Sequence, residues 1–123
     1  MPDAPAYLVR LKSNGEPMTG NPIPLIEKDN SFGNDPVQAE IILDDPSISP
    51  LHARVQRTET NEFILMDNGS TAGTWLNYEL VPREGIVLSH GDVVHFGQLM
   101  YRFTLKKPLA DTEPKITFEA SAE

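Results

Sequence analysis

The stretch "HARVQRTETNEFILMD", residues 52–67, lies inside the longest segment free of both proline and glycine, Leu51 to Asn68. Its apolar residues recur every second position. Ala53 and Val55 alternate with Arg54 and Gln56, and Phe63 and Leu65 alternate with Ile64 and Met66. A period of two is that of a pleated strand with one buried face, not of a helix. The polar "TETN" between the halves predicts a hairpin turn.

The same habit extends outward. "AYLVRLK" places Tyr7, Val9 and Leu11 on one face. "LMYRFTL" sets Leu99, Tyr101, Phe103 and Leu105 against Met100, Arg102 and Thr104. "AEIILD" is a short apolar run suited to a strand covered on both sides, and "DVVHFG" supplies another short strand. "SNGEP", "DNGSTAG", "PREG" and "SHGD" between them are turn-rich. Pro22 and Pro24 in "NPIPLIE" cannot donate to a ladder, which predicts an edge strand. Eleven prolines and eight glycines leave little room for helices. About ten short strands at near-regular spacing predict an all-β, antiparallel sandwich. Tyr101 and Phe103, with Phe63 and Leu65, are expected in its core.

Composition narrows the function. A chain of 123 residues suits one domain. Hydrophobic residues make up 39% and charged ones 23%, an ordinary globular balance. No apolar run has membrane-spanning length and no signal-peptide pattern opens the chain. There is no cysteine, so disulfides and thiolate–metal sites are excluded, and a reducing cytoplasm is the default setting. The net charge is −8 and the ten basic residues are scattered. Nucleic-acid binding requires clustered Lys and Arg, so no nucleic-acid partner is expected. From Lys106 onward, "KKPLADTEPKITFEASAE" reads as a charged, proline-containing tail or linker, leaving residues 1–105 as the folded module.

Ser49 and His52 stand three apart in "DDPSISPLHARV" and pose the question of a nucleophile and its base. No orienting acid or oxyanion hole is signalled by spacing, so catalysis is the remote reading. Ser49 capping a loop is the bland alternative to a binding role. His52 heads a strand, where an imidazole can hold the preceding loop. Pro46 and Pro50 stiffen that loop by fixing φ. "HGDVVH" could offer His90, Asp92 and His95 to zinc, but a surface turn followed by one strand histidine is the simpler reading. Asp44 and Asp45 read as turn residues. Trp75 reads as core, with a groove lining as the alternative. "DNGSTAG" lacks the Lys of a P-loop. No cofactor and no metal are implied.

Three segments in order, "SFGNDPVQAEIILDDPSISPLHARV", "MDNGSTAGTWLNYELV" and "LSHGDVVHFG", resemble a forkhead-associated (FHA) domain over roughly Tyr7 to Leu105. That family shows Gly-Arg before a strand, then Ser-x-x-His, then Gly-Ser-Thr-Asn-Gly-Thr, then a Gly-Asp turn closing on an apolar residue, Phe and Gly. The resemblance implies a β-sandwich of about eleven short strands that binds phosphothreonine peptides through loops at one end. Gly33 matches the family glycine, but Asn34 stands where the arginine is expected. Ser49 and His52 match, with Pro50 in a position often polar or basic. Gly69, Ser70 and Thr71 match. Ala72 replaces the asparagine that holds the peptide backbone, and Gly73 and Thr74 match again.

The resemblance therefore implies a recognition surface built from Asn34, Ser47, Ser49, Pro50, Thr71 and Ala72, with Arg54 the nearest cation that strand alternation sends towards solvent. Gly33, His52, Gly69 and Gly73 would shape the loops. A neutral amide in place of a guanidinium weakens phosphate binding, because hydrogen bonds to charged groups contribute about 1.5–3 kcal/mol against about 0.5–1.5 for neutral ones. The module is read as non-catalytic. Its partner is a protein or a phosphothreonine peptide, or other domains of a longer chain. A degenerate module that binds without phosphorylation is the alternative.

Overall fold

The computed structural model describes residues 4–106. Eleven strands form two sheets facing each other across one core. They are β1 (Ala6–Arg10), β2 (Ile23–Pro24), β3 (Asp29–Gly33), β4 (Ile41–Ile42), β5 (Ala53–Arg57), β6 (Phe63–Asp67), β7 (Thr74–Leu76), β8 (Glu79–Leu80), β9 (Ile86–Val87), β10 (Val93–Phe96) and β11 (Leu99–Leu105). One sheet runs β2-β1-β11-β10-β7-β8, the other β4-β3-β5-β6-β9. Of the expected tail, only Lys106 falls within the described residues; its amide donates to the Pro5 carbonyl at 2.9 Å.

The alternation at residues 52–67 does what its period demands. Ala53, Val55, Phe63 and Leu65 are buried, while their neighbours are half-exposed. β5 and β6 pair antiparallel from Ala53↔Asp67 to Arg57↔Phe63. The turn between them closes with Thr58 N–H donating to Glu62 O at 2.8 Å and with Asn61 at φ 65. Asparagine accepts the left-handed region better than most residues. Pro24 lies on β2, an edge strand, as its missing N–H requires. In β1 it is Ala6 and Leu8 that enter the core; Tyr7 and Val9 share the other, half-buried face.

Two expectations are corrected. "AEIILD" is not a strand covered on both sides. Only Ile41 and Ile42 pair, at a sheet edge, and Ile42 is 45% exposed. That pairing is also parallel, Phe32↔Ile41 and Gly33↔Ile42, so the sandwich is not wholly antiparallel. The cause is local. Asp35 accepts from the amides of Gln38 and Ala39 in a tight turn, and that turn returns the chain beside β3 in its own direction.

Aromatic rings join the sheets. Phe32 on β3 stacks on Phe96 of β10 at 4.8 Å between centroids, and Phe63 meets Phe103 at 5.4 Å. The Phe32–Phe96 pair sits just beneath the loops at one end of the sandwich. There Gly33 leaves no room for a side chain: a Cβ on it would lie 2.0 Å from the Pro50 carbonyl oxygen. That contact lets Asn34 N–H donate to Ser49 O (3.1 Å) and Asp35 N–H to Pro50 O (3.3 Å). Gly33→Ala forces the two loops apart and is expected to cost about 1–3 kcal/mol, typical of overpacking. Urea denaturation reads this as a lower midpoint at unchanged slope; a midpoint equal to wild type contradicts the close approach.

Candidate functional site

The loops after β3, β4, β6 and β10 converge at the end of the sandwich above Phe32 and Phe96. His52, fully buried, is the knot. Its Nδ1 accepts the Ser49 N–H at 3.1 Å. Its Nε2 therefore carries the hydrogen and donates to Gly73 O at 2.9 Å. The same Gly73 carbonyl accepts the Gly97 N–H at 3.0 Å, so one oxygen gathers two loops. His52 N–H donates to Phe32 O (2.7 Å), and the ring stands edge-on to Phe96. Glycine is required at 73 by its φ of 93 and by the Trp75 Nε1 that a Cβ would meet at 2.9 Å, while its carbonyl serves His52 and Gly97.

Ser49 lies on the rim, half-buried. Its Oγ accepts the Thr71 N–H at 3.1 Å, which brings the second and third loops together. The Ser49 hydroxyl donates no hydrogen bond among the described residues. Neither nitrogen of His52 is directed at Ser49 Oγ, since both are already engaged elsewhere. A Ser–His nucleophile pair is therefore not assembled at Ser49 and His52. Thr71 is exposed, and its hydroxyl makes no hydrogen bond among the described residues. Asn34 joins the cluster through Ser49 O, but its side-chain Nδ2 donates to Ile48 O at 2.6 Å. The amide points into the loop that it borders. Pro50 and Ala72 are exposed beside these groups.

Two residues expected at the surface are placed otherwise. Ser47 Oγ donates to Asp45 Oδ2 (2.6 Å) and accepts from Gln98 N–H (3.0 Å), so its hydroxyl ties two loops together. A Cβ on Gly97 would sit 2.5 Å from that Oγ, which explains the glycine there. Arg54 does not turn to the rim. Its guanidinium forms an ion pair with Asp29, at the start of β3 and away from Asn34. Arg54 faces solvent as the strand alternation predicts, but the carboxylate of Asp29, 25 positions earlier, captures its side chain.

Sequence reasoning missed Asp67. Its Oδ2 accepts the N–H groups of Gly69 (2.9 Å) and Ser70 (3.0 Å), and its Oδ1 accepts the hydroxyls of Ser70 and of Thr74 (2.6 Å). This is an Asx-type clamp that shapes the Asn68–Gly73 loop. Burial alone would raise its carboxyl. The hydroxyls of Ser70 and Thr74 and the two amides outweigh burial and hold it below the ordinary value of 3.8. Trp75 is half-buried and not core: its indole N–H donates to Ala72 O at 3.3 Å, and its ring lines a cleft of about 680 Å³.

Fold and geometry together define an all-β sandwich with a set of end loops pinned together from below. A family model described as "FHA domain" matches residues 30–97, and the chain belongs to that family. It is 38% identical over 87 residues to the glycogen accumulation regulator GarA of Mycobacterium tuberculosis, a match covering 71% of this chain and 51% of GarA. The chain spans about half the length of such curated relatives. Among solved structures it is similar to the FHA domain of CT664 from Chlamydia trachomatis, at 26% identity and TM-score 0.71, covering 83% of this chain and 98% of that one. It is also similar to the MEK1 FHA domain in complex with the HOP1 pThr318 peptide, at 26% identity and TM-score 0.65, covering 85% and 100%.

The site makes two predictions. His52→Ala leaves the Ser49 N–H and the Gly73 carbonyl without a partner and opens a void; stability should fall by about 2–5 kcal/mol, against about 1 kcal/mol or less for Ser49→Ala. Comparable losses in urea melts for the two variants contradict the knot. Asp67 has a folded pKa below its unfolded one, so its contribution is complete above that unfolded value and disappears as pH falls through the folded value. The stability advantage of wild type over Asp67→Asn should be constant near neutrality and shrink below about pH 4. An advantage that stays level down to pH 2 contradicts the clamp.

Proposed function

We propose that the loop end binds a protein partner through a threonine-phosphorylated segment, with phosphate recognition weakened relative to a guanidinium-bearing site. The carrying observation is the hydrogen bond from the Thr71 backbone N–H to Ser49 Oγ, which brings the two hydroxyl-bearing loops together, with no guanidinium or ammonium among the hydrogen-bond partners of these two residues within the described residues. Two hydroxyl protons and a partly engaged amide at Asn34 can donate to phosphate oxygens. None of them supplies the charge and fork geometry that make Arg–phosphate pairs strong. The MEK1 domain's phosphothreonine ligand supports the ligand class. The partner is a protein in a reducing, cytoplasmic setting, and the half-length match to GarA suits a module working beside other segments.

A second reading is binding independent of phosphorylation. The Asn34 amide engaged with Ile48 O and the methyl of Ala72 in the asparagine position favour it. Titration with a phosphothreonine peptide library and its unphosphorylated counterpart separates the two. Our reading expects phosphorylated members to bind better, Ser49→Ala to abolish the difference, and Asn34→Arg to strengthen phosphopeptide binding roughly ten- to a hundred-fold. Equal binding of both libraries by wild type overturns it in favour of the second.

A further inference from the structure

We propose that the outer face of the β1-β11-β10-β7 sheet carries a docking groove, separate from the loop end, for an unphosphorylated segment of a partner protein that brings an aromatic or long aliphatic side chain beside a carboxylate. Strand alternation sends Val94, Phe96, Leu99 and Tyr101 into the core, so His95 and Met100 face outward. Register sets Trp75 opposite His95 and His95 opposite Met100, one largely apolar row across three strands. The solvated face of an antiparallel sheet is ordinarily polar. A groove of about 380 Å³ lies over this row, with Lys12, Met18, Tyr78, His95, Gln98 and Met100 in its walls. A smaller hollow of about 190 Å³ shares Tyr78 and His95 with it and ends at Trp75 and Gly97.

The groove is built around a strained aromatic. β7 and β8 are joined by two residues, Asn77 (φ 49) and Tyr78 (φ 71), in the conformation of a type I′ turn, where glycine is the usual second residue. A tyrosine there carries a conformational cost that glycine would not. Asn77 fastens the turn to β10: its N–H donates to Val93 O at 2.7 Å, and its Oδ1 accepts the Val93 N–H at 2.9 Å. The Tyr78 ring lies 5.2 Å from the His95 ring, with its hydroxyl 3.9 Å from Met100 Sδ, yet the residue stays 71% exposed. His95 Nδ1 is buried and makes no hydrogen bond among the described residues. Burial holds the imidazole below its ordinary value of 6.5, so near neutrality it adds an aromatic wall and not a charge. Aromatic side chains held in place suit recognition because little freedom is lost on binding.

Size and charge select the occupant. A stable face-to-face dimer buries roughly 800 Å² per partner. A groove of 380 Å³ suits an inserted side chain instead. Lys12 is exposed and makes no ion pair among the described residues. No Asp or Glu among the described residues lines the groove. Of the carboxylates around it, Asp45 accepts the amide and hydroxyl of Ser47, and Asp92 accepts Asn77 Nδ2 and the Ser89 N–H. Glu16 and Glu79 are exposed outside the lining. The net charge of −8 repels an acidic partner at long range, where salt screens it beyond about 8 Å. A carboxylate seated in the groove meets the Lys12 ammonium at contact.

Short peptides free of Ser, Thr and Tyr, carrying Trp beside Glu, Trp beside Lys or Ala beside Glu, test this by backbone amide shifts of the labelled protein. The Trp–Glu peptide should bind best by several-fold and move the amides of Lys12, Tyr78, His95 and Gln98, while those of Ser49 and Thr71 stay still. Tyr78→Gly should lose most of that binding with no fall in urea midpoint, because glycine suits the turn. Lys12→Glu should reverse the preference for Glu over Lys. Met18→Ser should weaken both Trp peptides, and Ser49→Ala should change nothing. If the Trp–Glu peptide fills the groove while phosphothreonine peptides leave the rim unmoved, the phosphate reading fails and the groove stands. Wild-type binding by Tyr78→Gly and Lys12→Glu, or no shift of the groove amides with any peptide, overturns the groove. Shifts of those amides with protein concentration alone would assign it to a second copy and overturn the proposed occupant.

Discussion

One buried imidazole organises the loop end of this domain. His52 joins the amide of Ser49 to the carbonyl of Gly73 across the sandwich, and that carbonyl also holds the turn after β10. A buried polar group without partners is costly, so the ring requires both loops to stay in place. The loops in turn require the ring. Because His52 occupies a site against Phe96 and above Phe32, loop geometry is coupled to core packing. The rim is thereby preorganised, which lowers the entropy lost on binding.

What the rim offers follows from what the knot and clamp already engage. His52 satisfies the Ser49 amide and leaves its hydroxyl free to donate. Ser49 Oγ satisfies the Thr71 amide and leaves the Thr71 hydroxyl free. Asp67 absorbs the donors of its own loop, so its negative charge is locally compensated. Asn34 turns its amide inward. The outcome is a surface of neutral donors beside the cleft that Trp75 lines.

The strands at residues 52–67 and 99–105 were legible because an alternating pattern reports directly on a half-buried sheet. The edge at Pro24 was legible from a missing donor. β4 was not: Ile41, Ile42 and Leu43 are consecutive and apolar, and nothing in a run without alternation tells an edge from a centre. The β7–β8 turn was silent because Asn77-Tyr78 lacks the glycine that usually marks such hairpins. At the site, Ser49, His52 and Thr71 were legible through their ordered motifs. The direction of Arg54 was not, since its partner Asp29 is remote in sequence. Asp67 read as part of a turn, and only the folded loop reveals its four donors. His95 read as one strand histidine, and only the register sets it between Trp75 and Met100.

Backbone amide shifts of the isotopically labelled protein, followed during titration with a phosphothreonine peptide, probe the pinned rim most directly. The amides of Asn34, Ser49, Thr71 and Ala72 should move together along one saturable curve, while those on the outer face of β5 and β6 stay still. Shifts centred on that outer face instead, or a rim that does not respond to peptide with or without phosphate, would contradict a binding surface organised by His52.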